Sequence, residues 1–252
     1  MVFGRASMEN LVKPLSPPRD TPDTPDAEFD AYSRSYDEAV NKALAFSRLK
    51  VDLFTRVKAD YLRAIIDRLR PPSSTAEVLD VGCGVGNMHA LLFGHVASLA
   101  GVDVSEACIE TARSRNPWVA YAAYNGIHLP YDDRRFDIAF AACVFHHVPI
   151  VDRLALAREI RRVLRPGGIF AIFEHNPLNP LTMHVVNNCE FDKHAVLLDQ
   201  SVSEALMATA GFQNIATRFI LTIPAIGPML RSLDRLFSTF PIGAQYYTIG
   251  RA

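Results

Sequence analysis

Tryptophan is nearly absent from this chain, one residue in 252, and there are only four cysteines, Cys83, Cys108, Cys143 and Cys189, with no C-x-x-C pair among them. Neither a disulfide framework nor a zinc knuckle is expected from that spacing. An uninterrupted apolar run of the roughly 18 residues that cross a bilayer is also missing, as is the apolar core of a secretory signal. The expectation is a cytoplasmic protein with reduced thiols and no transmembrane segment. Charge of one sign is not in excess: 26 Lys and Arg face 27 Asp and Glu, a formal net charge of -1. Without a basic surplus there is no global electrostatic reason to bind nucleic acid. What is present is 49% hydrophobic residues, enough for one α/β domain of ordinary size and too few residues for two.

Five prolines among residues 1–27, at positions 14, 17, 18, 22 and 25, predict a mobile tail that builds no core. From Tyr36 to Leu69 apolar residues recur at helical spacing, for instance Phe54, Val57, Tyr61 and Ile65, and Pro71 and Pro72 end the pattern. Strands are expected at 77–81, 98–103, 118–122, 136–142 and 168–174, with helices between most of them, which argues for a parallel sheet covered on both faces. Further on, a helix near 201–210 ends at Gly211, strands follow at 213–223 and 244–251, and a helix-like stretch lies within 224–241.

The chemistry begins at Val78-Leu-Asp-Val-Gly-Cys-Gly-Val-Gly86, an apolar strand that breaks into alternating glycines just before a helical pattern. Gly82, Gly84 and Gly86 carry no Cβ to obstruct a sharp turn or a close ligand, so a nucleotide-like cofactor is the expected occupant. The dinucleotide fingerprint needs a third glycine where this chain has Asn87, which disfavours NAD. Asp103 lies 23 residues after Asp80 at the end of the next strand, where a carboxylate can accept from both ribose hydroxyls; alternatively Ser105 caps the following helix with Asp103 merely nearby.

These segments, with Tyr124-Asn-Gly-Ile-His-Leu-Pro130, Phe136-Asp-Ile-Ala-Phe-Ala-Ala-Cys-Val-Phe-His-His147 and Arg165-Pro-Gly-Gly168, resemble in order the motifs of class I S-adenosylmethionine-dependent methyltransferases, of the small-molecule, quinone-biosynthesis type. The resemblance covers about residues 28–175 and the final strand pair. It implies a Rossmann-like, doubly wound, mostly parallel seven-stranded sheet with an antiparallel last strand. Residues 28–72 would form a helical lid and 73–252 the α/β domain, with substrate-side insertions at 176–200 and 224–241. It also implies that Asp80 meets the methionine end of S-adenosylmethionine, that backbone at Gly82, Cys83, Gly84 and Cys143 runs along it, that Asp103 holds the ribose, and that Val104 flanks the adenine. The family's acid before Leu-Pro is replaced by Asn125, whose carbonyl can still accept from the adenine amine; Asn125-Gly126 is equally a turn dipeptide.

His146 and His147 face the methyl donor or the acceptor in this reading, and a histidine can act as general base near neutral pH. Phe173-Glu-His-Asn-Pro-Leu-Asn179 leaves the last parallel strand, so Glu174 and His175 join His147 as catalytic candidates and Asn176 and Asn179 as substrate contacts, although Asn-Pro pairs also make rigid turns. In-line methyl displacement, leaving S-adenosylhomocysteine, requires no metal; His175, Asp192 and His194 have ligand chemistry, but their spacing does not compel a site. The partner expected is a small molecule, apolar or lipid-linked if Met229, Leu230, Leu233, Leu236 and Phe237 meet it, and the acceptor atom and oligomeric state stay open. Two other classes compete: an NAD(P)-dependent oxidoreductase, which leaves Asn87 unexplained, and a non-catalytic S-adenosylmethionine-binding protein.

Overall fold

A computed structural model describes residues 51–69, 71–189, 192, 195–223 and 228–252. The predicted tail, residues 1–27, and the first part of the predicted lid, residues 28–50, lie outside the described residues. In chain order the elements are α1 (Val51–Leu69), β1 (Glu77–Val81), β2 (Ser98–Asp103), α2 (Glu106–Arg115), β3 (Ala120–Ala123), β4 (Phe136–Ala142), α3 (Ile150–Val163), β5 (Leu164–His175), α4 (Pro180–Asn188), α5 (Gln200–Thr209), β6 (Gln213–Ile220), α6 (Pro228–Leu236) and β7 (Gln245–Arg251). One seven-stranded sheet runs β3-β2-β1-β4-β5-β7-β6, with β7 antiparallel to both of its neighbours and the other pairs parallel. Chain order reverses between β1 and β4, and a ligand of such a sheet lies at the carboxyl ends of these two strands.

Successive side chains of a strand point to opposite faces, and the central strands are apolar on both. Val78, Ile138, Phe140, Ile169, Ala171 and Phe173 pack on one side with Val57, Leu62 and Ile66 of α1. Leu79, Val81, Ala139, Phe170 and Ile172 pack on the other with Leu156 and Ile160 of α3 and Met207 of α5. The described part of the predicted lid is therefore a layer of the core: an apolar helical face is most stable against the nearest apolar sheet, and α1 has one within reach.

Two local expectations are revised. The stretch after the glycine turn forms only a 3₁₀ turn, His89–Leu91, and no α-helix before β2. Only eleven residues separate Gly86 from β2, and Gly94 there adopts a left-handed φ of 71°. At the other end of α3, helix stops at Val163, three residues before Pro166, because proline disfavours helical geometry at Arg165. β5 thus begins at Leu164 and carries Pro-Gly-Gly in a bulge, where the register against β4 shifts between Phe136 and Ile138.

The amino ends of three strands are tied by charge. Glu77 accepts from Arg135 Nη1 at 2.6 Å and from Arg165, whose Nη1 also meets Asp137 Oδ2 at 2.9 Å. The two arginines hold the Glu77 carboxyl below the usual carboxylate range. A depressed folded-state pKa contributes stability above the unfolded value that is lost as pH falls through the folded one. Glu77→Gln is expected to cost roughly 0.5–1 kcal/mol at pH 7, since both arginines are partly exposed, and the gap from the parent should close below about pH 4. Urea denaturation of both proteins at pH 7 and pH 3 measures it; a gap that persists in acid would count against the ion-pair origin.

Candidate functional site

At the end of β1, Asp80 is buried, and its Oδ2 lies 2.9 Å from Nε2 of fully buried His89, whose Nδ1 in turn is 2.5 Å from the Tyr121 hydroxyl. The other oxygen, Asp80 Oδ1, is buried with no hydrogen-bond partner. Burial raises this carboxyl above the usual range, against the pull of His89 and then Lys58. Such a group is costly unless something supplies the missing donor.

One strand over, Asp103 Oδ2 accepts from Gly84 N at 2.7 Å and Oδ1 from Ser105 N at 3.0 Å. Ser105 does cap α2, accepting from Cys108 N at 3.1 Å, so the cap and the carboxylate coexist. Burial also raises Asp103, while the amides of Ser105 and Gly84 oppose it. Gly82 and Gly84 both have left-handed φ, 74° and 51°, but for different neighbours. A Cβ on Gly82 would collide with Val144 at 2.6 Å; one on Gly84 would meet nothing within 4 Å. The turn is closed on the protein side and open at Gly84, a cradle for a ligand held by backbone. Cys83 contributes backbone alone, its side chain being buried.

Val104 and Gly126 approach one another beyond Asp103, a Cβ at Gly126 lying 3.6 Å from Val104 Cγ1. Asn125 is a correction. Its Oδ1 already accepts from Ile127 N at 3.1 Å and His128 N at 2.7 Å, and Gly126 has φ of 84°, so the pair builds a turn and offers the adenine amine no free carbonyl.

A second polar group lies across β4 and β5. Cys143, at φ 60°, follows β4; its sulfur accepts from Lys58 Nζ at 3.3 Å, and burial would raise this thiol, but Lys58 and then His175 outweigh it and bring the value to about 6. Fully buried Glu174 receives Phe145 N at 2.9 Å on Oε1 and His146 Nδ1 at 2.5 Å on Oε2. His146 Nε2 and His147 Nε2 both lie near Asp192 Oδ1, at 3.5 and 3.6 Å. Asp192 N donates to Cys189 O at 3.2 Å, and Val196 N donates to His146 O at 2.9 Å. Burial alone would lower His146, but Glu174 and then Asp192 keep it protonated, whereas burial and the adjoining charge on His146 keep His147 neutral.

Three other assignments change. Glu174 has both oxygens engaged, so it positions His146 and the 143–145 turn and is not a free base. Asn176 donates to Pro241 O and Gly243 O while accepting from Leu178 N. Asn179 caps α4 and donates to Ile242 O at 2.8 Å. The side-chain amides of both asparagines are engaged with backbone. His175 joins the cluster, its ring 5.2 Å from that of His146. His194 lies outside the described residues; His146, His175 and Asp192 instead bring ligand atoms within 4.8 Å of one another. Sequence reasoning missed His89 and Lys58. Each interrupts an apolar pattern, His89 between Met88 and Leu91 and Lys58 four residues from both Phe54 and Leu62, and that interruption is the usable signal.

A methyltransferase-domain family matches residues 79–172. The methyltransferase GfsG of Streptomyces halstedii is 41% identical over 107 residues, 40% of this chain and 38% of that protein. The 2-methyl-6-phytyl-1,4-hydroquinone methyltransferase of Synechocystis is 29% identical over 168 residues, 63% of this chain and 51% of that protein. The chain thus spans about two fifths to one half of these curated relatives. Among solved structures, the putative methyltransferase of Haloferax volcanii in complex with its Trm112 activator superposes with a TM-score of 0.60 at 20% identity, covering 89% of this chain and 97% of that one, a likeness of fold.

The Asp80–His89 contact carries a stability prediction. His89→Leu leaves a buried carboxylate with neither oxygen paired and is expected to cost about 2–3 kcal/mol. Asp80→Leu in the same chain removes the orphan, so the double variant should be more stable than the sum of the single losses by at least about 1 kcal/mol. Chemical denaturation of the four proteins tests this, and additive losses would deny the coupling.

Proposed function

We propose that this chain, which belongs to the class I S-adenosylmethionine-dependent methyltransferases, transfers a methyl group from that cofactor to a small apolar acceptor in the cytoplasm, where its four cysteines stay free. The observation that carries the reading is Asp80 Oδ1, a buried acceptor without a donor, beside the open backbone at Gly84 and the buried carboxylate of Asp103. These residues fit the cofactor's chemistry. Asp80 would take the methionine ammonium, the backbone of Gly82 to Gly84 would lie along the chain, Asp103 would accept from the ribose hydroxyls with its remaining lone pairs, and Val104 would flank the base. When bound, the cofactor supplies an electrophilic methyl on a sulfonium, and the protein's part is to align the acceptor and exclude water.

His147 is the neutral imidazole of the cluster and the candidate proton acceptor on geometry, 3.6 Å from Asp192 Oδ1, although burial and the charge on His146 bring it to about 3 and make it a weak base. Apolar character in the acceptor is supported by the surface next to the cluster. Leu178 and Leu181 stand exposed shortly after β5, and Phe240, Ile242 and, on α6, Met229, Leu233 and Leu236 are exposed as well. Asn179 links the two segments through Ile242 O. Among the relatives, one is named for a hydroquinone bearing a phytyl chain. Among the described residues no helix is long and apolar enough to cross a membrane, so such an acceptor would be met at this surface.

Isothermal titration with S-adenosylhomocysteine is expected to show one site that weakens at least tenfold in Asp80→Asn and in Asp103→Ala. NADH should not bind. Turnover of radiolabelled S-adenosylmethionine with a panel of prenylated quinols and phenols then separates an enzyme from a protein that only binds the cofactor. His147→Gln should lower kcat more than it changes cofactor affinity. Binding of NADH in place of the sulfur nucleosides would sink the proposal.

A further inference from the structure

We infer that His146, His175 and Asp192 form a binding site for one divalent transition-metal ion of the zinc class. Its residues are distinct from those of the cofactor cradle: His146 and His175 lie at the carboxyl ends of β4 and β5, and Asp192 stands beside them. Three ligand atoms, one from each residue, lie within 4.8 Å of one another. Two imidazoles and one carboxylate are a donor set for zinc, iron(II) or cobalt(II), whereas magnesium and calcium take oxygen donors.

Two features go beyond proximity. The first is the fixing of His146. Its Nδ1 is held by Glu174 Oε2 at 2.5 Å, which leaves Nε2 directed at Asp192 Oδ1. A carboxylate on the distal nitrogen is the arrangement that orients metal-bound histidines and raises their basicity. The separation of 3.5 Å between Nε2 and Oδ1 is long for a charge-assisted hydrogen bond, which prefers about 2.7–2.9 Å. It is close to the edge, roughly 3.4 Å, of a tetrahedron with bonds of about 2.1 Å. The second feature is Gln245, 3% exposed, whose Nε2 stands 3.5 Å from His175 Nδ1 and whose Oε1 is buried without a hydrogen-bond partner. An unpaired acceptor beside a ligand histidine is what a metal-bound water would satisfy.

With three protein donors the ion keeps an open position. On the methyl-transfer reading, an acceptor hydroxyl bound there would be made more acidic by the ion and would give its proton to solvent. Displacement of the methyl group does not itself require the ion; deprotonation of the acceptor does gain from it. The cation site, however, is testable without turnover.

The untagged full chain is stripped with a chelator and titrated with Co²⁺, followed by visible d–d absorption, and then with Zn²⁺ in competition. One equivalent of Co²⁺ per chain is expected, displaced by Zn²⁺. Asp192→Asn and His175→Ala should each weaken binding at least 100-fold, and Glu174→Gln by 10–100-fold through His146. His184→Ala, on the outer turn of α4, serves as the unaffected control. Titration of every variant with S-adenosylhomocysteine reports folding and the cofactor cradle separately. Where a variant loses both, Asp192→Asn and His175→Gln at lower temperature decide. Absence of d–d bands at one equivalent, or full affinity in Asp192→Asn and His175→Ala, would overturn the site; loss of cofactor binding alone would overturn the methyltransferase reading and leave the site standing.

Discussion

Two carboxylates buried at the ends of adjacent parallel strands impose the order of everything around them. Asp80 and Asp103 repel each other and are both stripped of water, so each must be supported by fixed donors. Asp103 obtains them from the Gly84 and Ser105 amides, which is why the chain has to double back in a left-handed glycine turn directly after β1. Val102 O takes the amides of Gly82 and Cys83, at 2.8 and 2.9 Å, and binds the start of that turn to β2. Asp80 obtains only half of what it needs, from His89. The turn, the strand order and the incomplete pairing together leave one buried acceptor, Asp80 Oδ1, without a partner.

The two polar groups of the site solve burial differently. Around Asp80 and Asp103 the partners are chiefly backbone amides and a single imidazole, so the charge is rigidly placed and unbalanced. Around Glu174 the partners are side chains: His146 neutralises it, Asp192 stands beyond His146, and Lys58 and His175 face the thiol between. A network of that kind can exchange protons or ligands without moving a strand, because its members differ in charge but share a small space.

The central strands were legible because they are apolar on both faces, and the antiparallel last strand followed from the family resemblance. Asp80 and Asp103 were legible as carboxylates at strand ends because position along β1 and β2 determines where they emerge. Side chains that bind backbone were not. Asn125, Asn176 and Asn179 look alike in sequence whether they serve a ligand or a turn, and only the closeness of Ile127, Gly243 and Ile242 assigns them. The helix expected after Gly86 failed for a related reason: turn-forming residues at both ends of a short connection outweighed its apolar spacing. His89 and Lys58 were hidden because each appeared as a flaw in an apolar pattern.

α6 is attached in an unusual sense. Its inner face presents Asp234, fully buried, which accepts from the amides of Leu221, Thr222 and Ile223 and from the Tyr61 hydroxyl at 2.9 Å, while Met229, Leu233 and Leu236 stand exposed. One buried carboxyl thus fastens α6 to the end of β6 and to α1 while apolar side chains are left to the outside, the inverse of an ordinary amphipathic helix on a protein surface.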